Sequence, residues 1–399
     1  MKIKIQLAVM MLFQYTIWGA WYVTLSSYLG TTLQFEGTQI GLIYGSFALA
    51  AIISPAIVGV LSDKLFSAQK VLGVLHVIGA VLLIAISYQH TYQWFYIFVF
   101  IYALCYMPTI ALTNTIAMRH LKRPDKDFAN IRVFGTIGWI VMGWVVAYYK
   151  LELSASPILI ASLLSFILGA FAFLLPKTLP ESIRGTKGIK QWLGLDALSL
   201  FKNRSFMVLI IASLLVSIPL SFYYSFTNLF LNDIGVENAA GKMTLGQLSE
   251  IGFMLLLPVF FRYFGIKRVM IIAMFAWGIR YLFFAYGSID FMALLYLGII
   301  IHGICYDFFF VAGQVYVDQN SPNELKNSAQ GLLTQATYGV GMFLGTWLSG
   351  RVVDYYTINE VYNWQKIWII PSCIAFGVML LFALVFKNKK EIIENEINE

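Results

Sequence analysis

The sequence predicts an all-α membrane protein with 12 transmembrane helices in two six-helix bundles and both termini cytoplasmic. Three observations carry that expectation. Hydrophobic residues make up 59% of the chain and charged residues only 12%, where soluble domains carry about 25% charged residues. The apolar runs are long and continuous, as at 157–175 and 367–386, unlike the alternating segments of about ten residues that build a membrane β-barrel. The basic residues also fall unevenly along the chain, which fixes an orientation.

Candidate spans run near 5–29, 40–61, 71–88, 95–118, 130–149, 157–175, 205–231, 243–261, 269–287, 291–317, 328–350 and 367–386. This allows roughly 33 residues per span and connection, enough for helices of about 20 residues. With the N-terminus cytoplasmic, only Lys150, Lys242, Arg351 and Lys366 fall in outer loops, and Arg132 and Arg280 fall inside spans. The rest of the 27 Lys and Arg residues lie on the cytoplasmic side, as the positive-inside rule requires. Basic residues here report orientation and do not point to nucleic acid. The start, Met1-Lys2-Ile3-Lys4 before an apolar run, lacks a clear cleavage site and reads as a retained first helix. Cys105, Cys305 and Cys373 all fall in spans and suggest neither a disulfide framework nor a metal site.

The one long polar segment, 176–204, divides the chain into a bundle at 1–175 and another at 205–386, followed by a cytoplasmic tail at 387–399. The segment reads as a cytoplasmic linker, partly helical around 189–201. Faint self-similarity links the halves: Cys105-Tyr106 with Cys305-Tyr306, Pro55 with Pro258, and Gly138 and Gly143 with Gly341 and Gly345. Such parallel repeats hold a substrate near mid-membrane and alternate its access by rocking.

The loop G-V-L-S-D-K-L-F-S-A-Q-K (59–70) resembles the signature loop of the major facilitator superfamily. Gly59, Asp63 and Lys64 match it, while Ser67 replaces the usual second glycine. A carboxylate at a helix end can pair with a basic residue and hold one conformer, which makes these three the gating candidates.

Ionised side chains near the bilayer centre cost about 2.5–3.5 kcal/mol on insertion scales and mark cavities or partners. Asp307 lies deep in its span among aromatics, a candidate for binding hydroxyls or carrying a proton; the alternative is a structural pair. Glu250 and Arg280 are expected at similar depth, either paired with each other or with Glu250 facing a cavity beside Gln247, three residues away. Arg132, Thr136 and Trp139 follow at i, i+4 and i+7, a stripe of donors, a hydroxyl and an indole. Gln14, Trp18, Trp21 and Thr24 form a comparable stripe, with core packing an equal alternative. Aromatic faces beside acids, amides and a guanidinium suit a ligand with a flat ring and several hydroxyls, such as a nucleoside or an aryl glycoside.

Several stretches, in order and spacing, carry a closer resemblance: F-Q-Y-T-I-W-G-A-W (13–21), Y-M-P-T-I-A-L-T-N-T-I (106–116), I-R-V-F-G-T-I-G-W (131–139), L-G-L-D-A-L-S-L-F-K-N (193–203), Q-L-S-E (247–250), Y-F-G-I-K-R-V-M (263–270), Y-D-F-F (306–309) and S-A-Q-G (328–331). The chain resembles the nucleoside:H⁺ symporters of the major facilitator superfamily nearly end to end. The resemblance implies a substrate pocket drawing on Arg132, Thr136, Trp139, Gln247, Glu250, Tyr306 and Asp307. Two departures stand out. His302 replaces an aromatic, usually Tyr, and S-F-Y-Y-S-F-T-N (221–228) lacks a clear match to the amides expected there.

The expectation is therefore proton-coupled nucleoside uptake by alternating access in the bacterial cytoplasmic (inner) membrane. Arg132, Thr136, Trp139, Gln247, Glu250, Tyr306, Asp307, His302, Gln14 and Trp18 are the binding candidates, with Asp307 or Glu250 coupling the proton. The expected partners are a nucleoside such as uridine or adenosine, a proton and the bilayer; the expected state is a monomer with no cofactor or metal. A sugar or aryl-glycoside permease is the rival within transport. A non-transporting receptor would need a signalling domain, and the 387–399 tail offers none. An enzyme would need a nucleophile–base or metal-spaced cluster, which His76, His90, His120 and His302 do not form.

Overall fold

The computed structural model describes residues 2–60, 66–179 and 195–387, nearly all of them helical. Among these residues, eight helices are long and apolar enough to cross a membrane, and Ser156–Ala172 is a shorter apolar helix. The sequence predicts twelve spans, and besides the shorter helix three local features lie where it places further spans. Ala239–Tyr286 runs 48 residues but breaks at Gly265 (φ 70, ψ 165), so two helices follow end to end. The stretch from Lys326 to Tyr355 is cut by a π-helical segment, Gln335–Gly341. The first helix, Lys2–Trp21, carries Lys2, Lys4, Gln6 and Gln14, which dilute its hydropathy. Large side chains such as Leu163, Leu255 and Leu384 stay exposed, a surface that only lipid covers without penalty.

The chain forms two compact units, residues 1–187 with 224–244, and 188–223 with 245–399. In the first unit, Lys2–Trp21 packs on Pro124–Tyr148 and Ser156–Ala172. Ala68–Ser87 packs on Ser156–Ala172 and Tyr92–His120, and Gly37–Val60 on Tyr92–His120. Proline starts two of these helices, at Pro124 and Pro157, where its missing N–H costs nothing. Pro108 sits inside Tyr92–His120.

The second unit contains the Leu195–Lys202 segment, which is 3-10 helical. It forms where the sequence suggests a linker helix at 189–201, whose first residues lie outside the described ones. A two-residue hairpin pairs Thr357–Ile358 with Val361–Tyr362. Its central Asn359 and Glu360 both have positive φ, 50 and 63, as a type I′ turn demands. Tyr281 stacks on Trp368 at 5.6 Å between ring centroids, and Trp368 on Trp364 at 6.1 Å.

The repeated glycines do the same work in both units. A Cβ on Gly138 would lie 2.6 Å from the Leu12 carbonyl oxygen, and one on Gly341 2.9 Å from that of Leu214. Each glycine lets two helix backbones touch, the means by which helices associate where burial from water gives no drive.

The segment 224–244 is held within the first unit by a carboxylate. Glu152, only 5% exposed, accepts hydrogen bonds from the Asn228 and Asn232 amides, each at 2.9 Å, and from the Ala240 N–H at 3.1 Å. Ala240 opens a helix, so the negative charge also meets a positive helix end. Ser27 completes the cluster, donating to Asn228 Oδ1 at 2.5 Å and accepting from Asn232 at 3.0 Å. Glu152→Ala strands two amides and a helix N–H, and is expected to cost about 2 kcal/mol. Thermal unfolding of the detergent-purified protein checks this; an unchanged midpoint would show that the carboxylate does not hold the segment.

Candidate functional site

Two constellations gather the sequence-predicted residues, one in each unit. In the first, Lys2–Trp21 and Pro124–Tyr148 approach so closely that a Cβ on Gly19 would lie 2.9 Å from Trp139 Cα. Trp18 meets Trp139 at 5.8 Å, Tyr22 at 5.2 Å and Tyr106 at 5.7 Å, all edge to face. The Arg132 guanidinium lies 3.8 Å over the Tyr15 ring, a cation–π contact. Arg132, Thr136 and Trp139 are all half-buried. The Trp18 Nε1–H is buried without a hydrogen-bond partner among the described residues. The result is an aromatic wall with a guanidinium at one end.

Tyr15 and Tyr22 belong to this wall, and neither stands among the residues expected from sequence. Their signal was present: Tyr15, Trp18 and Tyr22 stand at i, i+3 and i+7, one helix face. Two members of the anticipated first-helix stripe turn elsewhere. Trp21 packs into the helix core with Phe47 and Tyr102. Gln14 is fully buried, its amide N donating to Thr109 Oγ1 at 2.8 Å and its carbonyl meeting His76 Nε2 at 2.9 Å.

The second constellation gathers Glu250, His302, Tyr306 and Asp307. Gly303 brings their helices into contact: a Cβ there would lie 2.7 Å from the Ser249 carbonyl and 2.8 Å from Glu250 N. The Gly303 N–H donates to Ser249 Oγ at 3.0 Å, a further tie. His302 Nε2 lies 2.9 Å from Glu250 Oε1. The contact is off the axis of the ring N–H, so it is electrostatic rather than a linear hydrogen bond. His302 Nδ1 lies 2.7 Å from Arg280 Nη1. The sequence leaves open a Glu250–Arg280 pair or a Glu250 facing a cavity beside Gln247; the His302 imidazole contacts both Glu250 and Arg280. Gln247, half-buried, precedes Glu250 by three residues on the same helix.

Asp307 opens a π-helical turn, Asp307–Val311, with Phe308, Phe309 and Phe310 buried beside it. Its side chain is 0% exposed, and neither carboxyl oxygen has a hydrogen-bond partner among the described residues. Single π turns inside helices recur at functional sites because they re-aim side chains. Tyr306 hydrogen-bonds the hydroxyl of Tyr338, which lies in the other π segment of this unit, Gln335–Gly341. Nothing in the sequence pattern marks Tyr338. Asp63 and Lys64 of the expected gate lie outside the described residues; Gly59 stands near the end of the Gly37–Val60 helix. The amide expected in the 221–228 segment is supplied only by Asn228, which is engaged by Glu152.

Known proteins resemble the chain along nearly its whole length. A family model described as nucleoside H⁺ symporter matches residues 1–391. The Escherichia coli K12 protein YegT is 42% identical over 100% of this chain and 96% of its own length. Xanthosine permease of the same organism is 38% identical over 97% of this chain and 96% of its own. A crystal structure of the nucleoside transporter NupG superposes with a TM-score of 0.90 at 36% identity, covering 98% of this chain and 100% of that one.

The helix contact at Gly303 is testable by stability. Gly303→Ala forces a methyl against backbone and is expected to cost about 1–3 kcal/mol. Gly377, where an added Cβ would meet no neighbouring atom within 4 Å, is the control: Gly377→Ala leaves the unfolding midpoint in place. Equal midpoints for both variants would show that the 303 contact is not tight.

Proposed function

Because the chain belongs to the nucleoside H⁺ symporter family, we infer that it carries nucleosides into the cell together with protons. The reading places it in the bacterial cytoplasmic membrane as a twelve-span, major facilitator-like carrier with both ends inside, acting as a monomer. Alternating access would move the substrate, with Gly59, Asp63 and Lys64 at a gate.

One observation carries the proton part. Asp307 is fully buried, and no donor among the described residues meets either oxygen. A charged carboxylate so placed is costly, and a bound proton removes that cost. Loading and unloading the proton would then decide when the empty or filled carrier can change conformation. Glu250 differs, since it faces the His302 ring and is partly exposed, which suits a carboxylate that takes hydroxyl hydrogen bonds.

The aromatic residues supply the other half of recognition. Trp139 and Tyr306 each offer a half-buried ring face on which a base could stack. Ribose hydroxyls would meet Asp307, Glu250 or Arg132, with Gln247, Thr136, His302 and Trp18 as further contacts.

Labelled-uridine uptake into cells or proteoliposomes tests the reading. An inward proton gradient should drive accumulation, and a protonophore should reduce it to equilibration. Asp307→Asn is expected to lower gradient-driven accumulation at least tenfold while the protein stays folded. Accumulation indifferent to the gradient rejects proton coupling, and full activity of Asp307→Asn clears that residue of the proton role. A panel of uridine, adenosine and hexoses as competitors separates nucleoside from sugar transport.

A further inference from the structure

Arg280 is the largest fully buried charged side chain among the described residues. It is 0% exposed, on the Ala239–Tyr286 helix beyond the Gly265 break. Its guanidinium carbon lies 3.5 Å from the Tyr223 ring centroid, 5.3 Å from Trp277 and 5.7 Å from Phe284. Nη1 reaches His302 Nδ1 at 2.7 Å, while Nε and Nη2 have no hydrogen-bond partner among the described residues. Aromatic faces stabilise a cation but give it no direction. The imidazole nitrogen therefore supplies the directed contact.

That contact fixes the chemistry of the ring. A guanidinium has five N–H donors, no acceptor, and does not lose its proton in proteins. At 2.7 Å it must face a lone pair, so Nδ1 carries no hydrogen. The neutral ring then holds its one hydrogen on Nε2, the nitrogen 2.9 Å from Glu250 Oε1. An imidazolium would set two donors against each other at Nδ1. Ring placement is constrained as well: Tyr223 stacks on His302 at 4.8 Å and 25°. The adjacent Gly303 N–H is tied to Ser249, next to Glu250.

We propose that Arg280 is a positioning residue that acts on Glu250 through His302, fixing the tautomer whose hydrogen sits on Nε2, the ring nitrogen beside the carboxylate. The side chain need not touch substrate. It sets an electropositive N–H edge, rather than a nitrogen lone pair, beside Glu250, an electrostatic contact that leaves the carboxylate lone pairs for a ligand hydroxyl. It also places a positive charge behind the ring, offsetting the Glu250 charge where water is scarce. The proposal rests on the nucleoside reading for its effect on transport, but the tautomer itself does not depend on any substrate.

Two measurements on the full-length protein test it. In nanodiscs with ¹⁵N-labelled histidine, the His302 signals, identified by their loss in His302→Leu, should show an unprotonated Nδ1 and a protonated Nε2. Arg280→Met should abolish that preference. An Nδ1–H tautomer or an imidazolium in the wild type overturns the proposal, as does an unchanged tautomer in Arg280→Met. In uptake assays, Arg280→Met should raise the uridine KM at least tenfold, and Arg280→Lys, which keeps a donor, should recover part of it. His302→Leu should raise KM similarly, and the double variant no further than either single change, since coupled residues are non-additive. Additive effects, or an unchanged KM in Arg280→Met, overturn it. If the wild type moves no nucleoside, the transport reading fails while the NMR result still decides the tautomer.

Discussion

A charge inside a lipid-solvated bundle must be answered by another group, and this structure depends on three different answers. Glu152 is answered in full, by two amides and a helix N-terminus. Arg280 is answered in part, by aromatic faces and one imidazole nitrogen. Asp307 meets no hydrogen-bond donor among the described residues. The grading matters because a fully satisfied ion is fixed in one arrangement, whereas one left over can exchange a proton or a ligand at modest cost. The three side chains are all buried and differ in the partners that answer them.

Neutral polar groups obey the same constraint at smaller scale. Ser217 donates to the Ser213 carbonyl, Ser221 to that of Ser217, and Thr337 to that of Leu333. Each hydroxyl bonds its own helix four residues back, so it costs little in the bilayer and leaves the helix surface smooth enough for close packing. Ser217 and Ser221 border the place where Gly341 meets the Leu214 carbonyl. Small polar residues there permit the approach that larger apolar ones would block.

Composition and apolar run length made the membrane class legible, and charge expense led directly to Arg132, Glu250 and Asp307. The Arg132–Thr136–Trp139 spacing predicted a shared stripe, and all three side chains are half-buried along one helix. What escaped were relations between distant segments. Glu152 sits in a turn between two helices, where a carboxylate is usually solvated, and only the folded chain brings Asn228, Asn232 and Ala240 to it. His302 read as a substitution for tyrosine, and its place between Glu250 and Arg280 depends on three separate helices. Gln14 shared a stripe with Trp18, yet its amide turns to Thr109 and His76. The π segments were invisible because a single extra residue in a turn leaves no compositional trace.

Positions matched between the halves in sequence are used alike in some places and differently in others. Gly138 and Gly341 keep the same backbone approach, so the helix frame tolerates little change at those points. The matched tyrosines have parted: the Tyr106 hydroxyl donates to the Gln14 carbonyl at 2.5 Å, while that of Tyr306 reaches a second tyrosine across from a π turn. The ionisable cluster of Glu250, Arg280, His302 and Asp307 falls wholly in the second unit, and the aromatic wall of Trp18, Trp139 and Tyr22 wholly in the first. An inherited frame sets where helices touch, and that requirement falls on glycines. Side chains facing away from those contacts are free to differ, so the first unit carries an aromatic wall beside Arg132 and the second a cluster of ionisable groups.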